Sequence, residues 1–187
     1  MVFLIWRIPK ICGHRCKIGG NMDSQDIFKS ALTYEKKIRD LYLSAVDTID
    51  DPRGKDLFKA LAADEQSHVE FLEYSLDRLV SAREIDLEKL APVLSSAVDD
   101  DVSRMKEKIP EQMLGDIKRA LNAALVLEVE TSQFYKKACD NSTGQVKEIL
   151  KKFYEIEQGH VELVQIQLDY ASGNGYWFNF MESDMED

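Results

Sequence analysis

Along four separate segments of this chain, apolar residues recur at alternating steps of three and four, the spacing that lines up side chains on one face of an α-helix. The first stripe reads Phe28, Ala31, Glu35, Ile38, Tyr42, Ala45, Ile49, and the second Phe58, Leu61, Glu65, His68, Leu72, Ser75, Leu79. The third reads Ile117, Leu121, Ala124, Glu128, Thr131, Tyr135, Ala138, and the fourth Val146, Leu150, Phe153, Glu157, His160, Val164. Each stripe predicts a long helix with one buried face, so the fold class is all-α. Each also carries an acid near its middle, where hydrocarbon is expected.

Two of the connections are short and made of helix stop and start residues, Asp50-Asp51-Pro52-Arg53-Gly54 and Asp140-Asn141-Ser142-Thr143-Gly144. The halves of the chain superpose on one another. Glu35 and Tyr42 map onto Glu128 and Tyr135 at an offset of 93, and Glu65 and His68 onto Glu157 and His160 at 92, the slip falling in a loop. Each half is therefore expected to be an antiparallel helical hairpin. Residues 81 to 113 are too many for a tight turn. They hold the amphipathic stretch Ile85 to Leu94, the acidic run Asp99-Asp100-Asp101 and Pro110, and so predict a long crossover between hairpins. Asp23 or Ser24 is placed to cap the first helix, and Gly173 with Gly175 to end the last.

An unpaired carboxylate inside hydrocarbon costs many kcal/mol, so such a group shifts its pKa, finds a cation, or is selected against. Here the acids come with two Glu-x-x-His pairs, Glu65 with His68 and Glu157 with His160, each offering an oxygen and a nitrogen one turn apart on one face. One such pair alone reads as a solvated helix face. Two pairs, each preceded about thirty residues earlier by Glu-x6-Tyr, form a set. Two divalent ions would bring four positive charges against the carboxylates of Glu35, Glu65, Glu128 and Glu157, with neutral imidazoles at His68 and His160, and the core would be electroneutral. These six residues are the candidate metal ligands.

In these residues, and in short, long, short connectivity, the chain resembles the rubrerythrin-type branch of the ferritin-like di-iron carboxylate proteins, over about residues 24 to 171. The resemblance implies a ferritin-like four-helix bundle holding two iron ions, although manganese or zinc also suits such oxygen and nitrogen ligands. It implies that the four glutamates are both ligands and the catalytic set. Tyr42 and Tyr135 would hold ligand carboxylates through their hydroxyls, or else be ordinary core tyrosines. The implied activity is reduction of hydrogen peroxide or dioxygen by a di-ferrous centre, re-reduced by an external donor protein such as a rubredoxin. Two departures stand out. Family members with a rubredoxin module need two Cys-x-x-Cys pairs, whereas this chain has only Cys12, Cys16 and Cys139, and Thr131 stands where the family usually places an additional Glu. Glu130 falls on another face. The alternative reading is therefore oxidation of Fe(II) for iron handling or storage, with metal sensing a third.

With 187 residues, 44% of them hydrophobic, the chain suits one domain with a full core. Its net charge of −10 argues against a nucleic-acid partner, which would want a basic face. No run of about twenty apolar residues occurs, so no membrane span and a cytoplasmic location are expected. Residues 1–22 read as an extension to the 23–171 bundle, apolar over Met1 to Trp6 and then basic, disordered or not native, with Met22 the candidate start. Cys12, His14 and Cys16 lack a fourth ligand nearby, and Cys139 reads as a reduced structural thiol. The tail over 172–187 gathers Tyr176, Trp177, Phe178 and Phe180 before turning acidic. That aromatic surface predicts docking on the bundle or on a second copy, hence a homodimer.

Overall fold

Asp23 opens the first helix, its carboxylate accepting from the Gln25 backbone N–H at 3.4 Å and so satisfying one of the donors a helix start leaves open. In the computed structural model, which describes residues 23–90 and 112–173, this helix, α1, spans Ser24–Thr48. Asp51 caps the next, α2 (Pro52–Val80), accepting from the backbone N–H groups of Arg53 at 2.9 Å and Gly54 at 3.2 Å. Pro52 occupies the first turn, where its missing N–H costs nothing. A 3-10 turn at Leu87–Lys89 follows, and then α3 (Leu114–Asp140) and α4 (Gly144–Gly173). Gly144 sits at φ 59°, a left-handed conformation open to glycine without a Cβ clash, and there the chain reverses into α4.

α1 packs on α2, α3 on α4, and α1 on α3, so the fold is the all-α, ferritin-like bundle of two hairpins that the four stripes predict. The described start of the connection leaves α2 toward the beginning of α4. There the Gln145 side-chain amide donates to the Ile85 carbonyl at 2.8 Å, and its oxygen accepts from the Ile85 N–H at 3.3 Å. Ile85 and Leu90 are buried against Phe71 and Leu72. Residues 91–111, which complete the expected crossover, lie outside the described residues, as do the 1–22 extension with its Cys12-His14-Cys16 motif and the aromatic tail from residue 174.

Burial follows the stripes. All seven positions of the first are buried, while Leu79, Ala138 and Val146, at the ends of the other three, are half-buried. The apolar residues collect in two clusters. One contains Ile38, Tyr42, Phe58, Leu61, Ile117 and Leu121, and the other Phe28, Leu72, Tyr135, Leu150 and Phe153. Burying each large apolar side chain contributes roughly 1.5–3 kcal/mol, so these two layers supply the cohesion that a polar layer between them cannot. Among the described residues, no helix is long and apolar enough to cross a membrane.

Candidate metal centre

Between the two apolar clusters lie the acids. Glu35, Glu65, His68, Glu128 and Glu157 are 0% exposed and His160 is 4% exposed. They reach this depth because each occupies an inward position of its own helix, one turn from a buried apolar neighbour such as Ile38, Leu61, Ala124 or Phe153. The structure thus brings all six candidate ligands to one level of the bundle.

The two imidazoles stack with centroids 5.6 Å apart and turn the same ring atom toward the acids. His68 Nδ1 lies 3.1 Å from both Glu35 Oε2 and Glu65 Oε2, and 3.7 Å from Glu157 Oε1. His160 Nδ1 lies 2.8 Å from Glu65 Oε1 and 3.8 Å from Glu128 Oε2. Ligand atoms of Glu35, Glu65, His68 and Glu157 all fall within 4.8 Å of one another, and so do those of Glu65, Glu128 and His160. Each group could hold a metal ion, and Glu65 belongs to both.

Whether the residues fit cations is tested by their unused valences. His160 Nδ1 and Glu65 Oε1 are 2.8 Å apart, yet neither has a hydrogen-bond partner of acceptable geometry. Glu128 Oε2 and both oxygens of Glu157 are likewise unpartnered. Buried polar atoms are normally paired, and leaving one unpaired costs about 1–3 kcal/mol. Atoms that crowd together without bonding to each other, on three different helices, are oriented as ligands of shared ions would be.

Burial and the neighbouring charges perturb every carboxyl in the cluster. Burial, with the charges of Glu35, Glu65 and Glu128, pushes the Glu157 carboxyl well above the ordinary range. Burial does the same to Glu65 against the pull of His160, and raises Glu128 more modestly. Glu35 is the exception: burial pushes it up, but the His68 bond and charge, with the Glu65 and Tyr135 bonds, outweigh this and hold it below its usual value. Burial opposes charge on the imidazoles too, yet Glu65 and Asp64 carry His160 up to about 10, and Glu35 raises His68. Tyr42 donates its hydroxyl to Glu128 Oε1, and Tyr135 donates to Glu35 Oε1, so each hairpin's tyrosine holds the other hairpin's acid. Burial and those neighbouring carboxylates push both phenols well above their ordinary value, which keeps them donors.

A family model for rubrerythrin matches residues 26–168. The chain belongs to the rubrerythrin family. The match spans the two hairpins and all six clustered residues, and a carboxylate and histidine cluster of this kind is compatible with a di-iron site. Comparisons with curated proteins and with solved structures found no match.

Two positions modify the rubrerythrin picture. Thr131 is fully buried one turn beyond Glu128, with a hydroxyl that has no hydrogen-bond partner, and Glu130 is exposed. Asp64 is also fully buried and contacts both histidines, a feature that the stripe pattern misses because it lies beside the inward row of α2. An acid directly before a Glu-x-x-His pair was the one available signal. Cys139 is half-buried, its thiol directed to the Lys147 carbonyl at 3.7 Å, away from the cluster.

Proposed function

We propose that this rubrerythrin-family protein is a non-haem di-iron oxidoreductase that reduces hydrogen peroxide, or dioxygen, with electrons from an external donor. The observation that carries the reading is the pair of ligand groups that have Glu65 in common, since each would hold one ion and a two-electron reduction is served by two. Glu35, Glu65, His68 and Glu157 would hold one iron, and Glu65, Glu128 and His160 the other. Bound there, the irons would supply the two electrons that convert hydrogen peroxide and two protons to two waters.

The rest belongs to the chain. Tyr42 and Tyr135 fix the carboxylates of Glu128 and Glu35 across the bundle, so the ligands need little rearrangement as charge changes. The cluster residues are at most 4% exposed, which restricts access to oxidants as small as peroxide or dioxygen and keeps bulky reductants out. Electrons then have to enter through the protein. The sequence contains no Cys-x-x-Cys pair, so a separate redox protein such as a rubredoxin fits as donor. Cytoplasmic residence and a homodimer complete the proposal, checked by cell fractionation and by light scattering at micromolar concentration.

Thr131 favours a second reading. With a hydroxyl where the family usually has a carboxylate ligand, the site lacks an exchangeable seventh ligand and suits Fe(II) oxidation for iron handling. Anaerobic loading with two equivalents of Fe(II), followed by stopped-flow mixing with peroxide and separately with oxygen, distinguishes the two. Faster oxidation by peroxide, with repeated turnover on a rubredoxin, supports the peroxidase. Faster reaction with oxygen and release of Fe(III) supports iron handling and refutes it.

A further inference from the structure

Asp64 belongs to neither group of candidate ligands, yet it is fully buried and lies within reach of both histidines. Its Oδ2 atom is 2.8 Å from Nε2 of His160 and 3.8 Å from Nε2 of His68. Both rings therefore present Nδ1 to the glutamates and Nε2 to a single carboxylate oxygen. We infer that Asp64 is a positioning residue shared by the two histidines, holding the Nε2 proton of each so that both Nδ1 atoms face the cluster as electron-pair donors.

The chemistry requires such a group. An imidazole that binds a cation through Nδ1 keeps its proton on Nε2, and a buried N–H without an acceptor is costly. A carboxylate acceptor also raises the basicity of the ligating nitrogen and fixes the ring's angle. Within the duplicated sequence the ligands repeat but this residue does not. At the offset of 92 that relates Glu65 to Glu157, Asp64 corresponds to Ile156, a half-buried apolar side chain. One carboxylate thus does for both halves what two-fold repetition would assign to two.

The sharing is unequal. His160 is held at full hydrogen-bond distance, whereas His68 Nε2 has no bond of acceptable geometry and must close by roughly 1 Å to make one. The group containing His160 is preorganised, and that containing His68 tightens when its ion arrives. Loss of Asp64 should weaken both ions, the His160 group most.

This inference rests on the dinuclear reading above, and its test avoids redox activity. The full chain is stripped of metal and titrated anaerobically with Co2+, read by calorimetry and by visible ligand-field absorption, for the wild type, Asp64→Asn and Asp64→Leu. About 10–100-fold weaker binding of both ions in Asp64→Leu is expected, with Asp64→Asn, whose amide oxygen still accepts, falling between. Imidazole 15N spectra of the Zn2+-loaded chain supply a readout that a purely structural role leaves unmoved: the wild type shows a protected Nε2–H on His160, and Asp64→Leu loses that protection. If Asp64→Leu fails to fold, Asp64→Asn carries both measurements. Two Co2+ bound at wild-type affinity by the variants, or unchanged Nε2–H signals, would overturn the role of Asp64 alone. A wild-type chain binding fewer than two Co2+ would overturn the dinuclear reading with it.

Discussion

Replacing Glu157 by leucine should stabilise the metal-free protein while destabilising the metal-loaded one. Glu157 is fully buried, neither of its oxygens makes a hydrogen bond of acceptable geometry, and burial together with three neighbouring glutamates lifts its pKa well above the ordinary range. Without a cation it is a carboxyl whose charged form burial disfavours, in a site that leaves its oxygens unsatisfied. Each unsatisfied buried group costs about 1–3 kcal/mol, and exchanging buried ionic groups for apolar ones of similar volume has stabilised other proteins by about 1–4 kcal/mol. A gain of roughly 1–3 kcal/mol in Glu157→Leu corresponds to a melting point about 2–12 °C higher at this chain length. Metal reverses the order. An ion at 100 times its dissociation constant stabilises by about 2.7 kcal/mol, and the variant breaks the group in which Glu157 joins Glu35, Glu65 and His68. The assay is thermal unfolding of both proteins after chelation and again with saturating Zn2+ or anaerobic Fe2+. Should chelated Glu157→Leu melt below chelated wild type, or the ranking stay the same in both conditions, the idea that these acids are held in place for cations is wrong.

Other outcomes follow from the same geometry. Glu65→Ala should lose both ions, because Glu65 serves both groups, whereas Glu128→Ala should retain one in the group of Glu35, Glu65, His68 and Glu157; elemental analysis showing two ions per chain in Glu65→Ala would contradict the assignment. Metal affinity should rise with pH: His160, raised to about 10, carries a proton at neutral pH in the ion-free site that must leave as metal enters, and the upward shifts of Glu65, Glu157 and His68 act in the same direction. Calorimetry in two buffers of different ionisation enthalpy measures that release, and none at pH 7 would disprove it. The same sign governs the ion-free fold: the stability that His160 gains from its acidic partners is complete below the ordinary histidine value and is lost as pH climbs through about 10. Tyr42→Phe strips Glu128 of its donor and should cost about 1–3 kcal/mol in urea unfolding of the metal-free chain, with Tyr135→Phe doing the same through Glu35; an unchanged midpoint would show that these bonds carry no net energy.

The bundle was legible because its evidence is local and repeated. A three-and-four period over twenty or more residues admits only a helix with one buried face, and every position of the stripe from Phe28 to Ile49 is indeed buried. The six clustered side chains were legible for the same reason, since an acid within an apolar period stands out without any knowledge of its neighbours. Asp64 was not. α2 is buried over a wider arc than its stripe, taking in Ala62, Val69 and Phe71, so an acid beside the inward row reads as solvent-facing until the opposing helix is placed.

From its amino-acid order alone this protein has four amphipathic helices, paired into hairpins by caps and short turns, with acids and histidines placed at matching depth in each. Periodicity is a one-dimensional property, and these facts need nothing more. Which carboxylate would join two ions, which tyrosine reaches which glutamate, and which single aspartate meets both imidazoles depend on how helices from different hairpins are set against one another. Those contacts join residues separated by 86, 96 and 100 positions along the chain, and distances of that kind exist only once the apolar clusters above and below have packed.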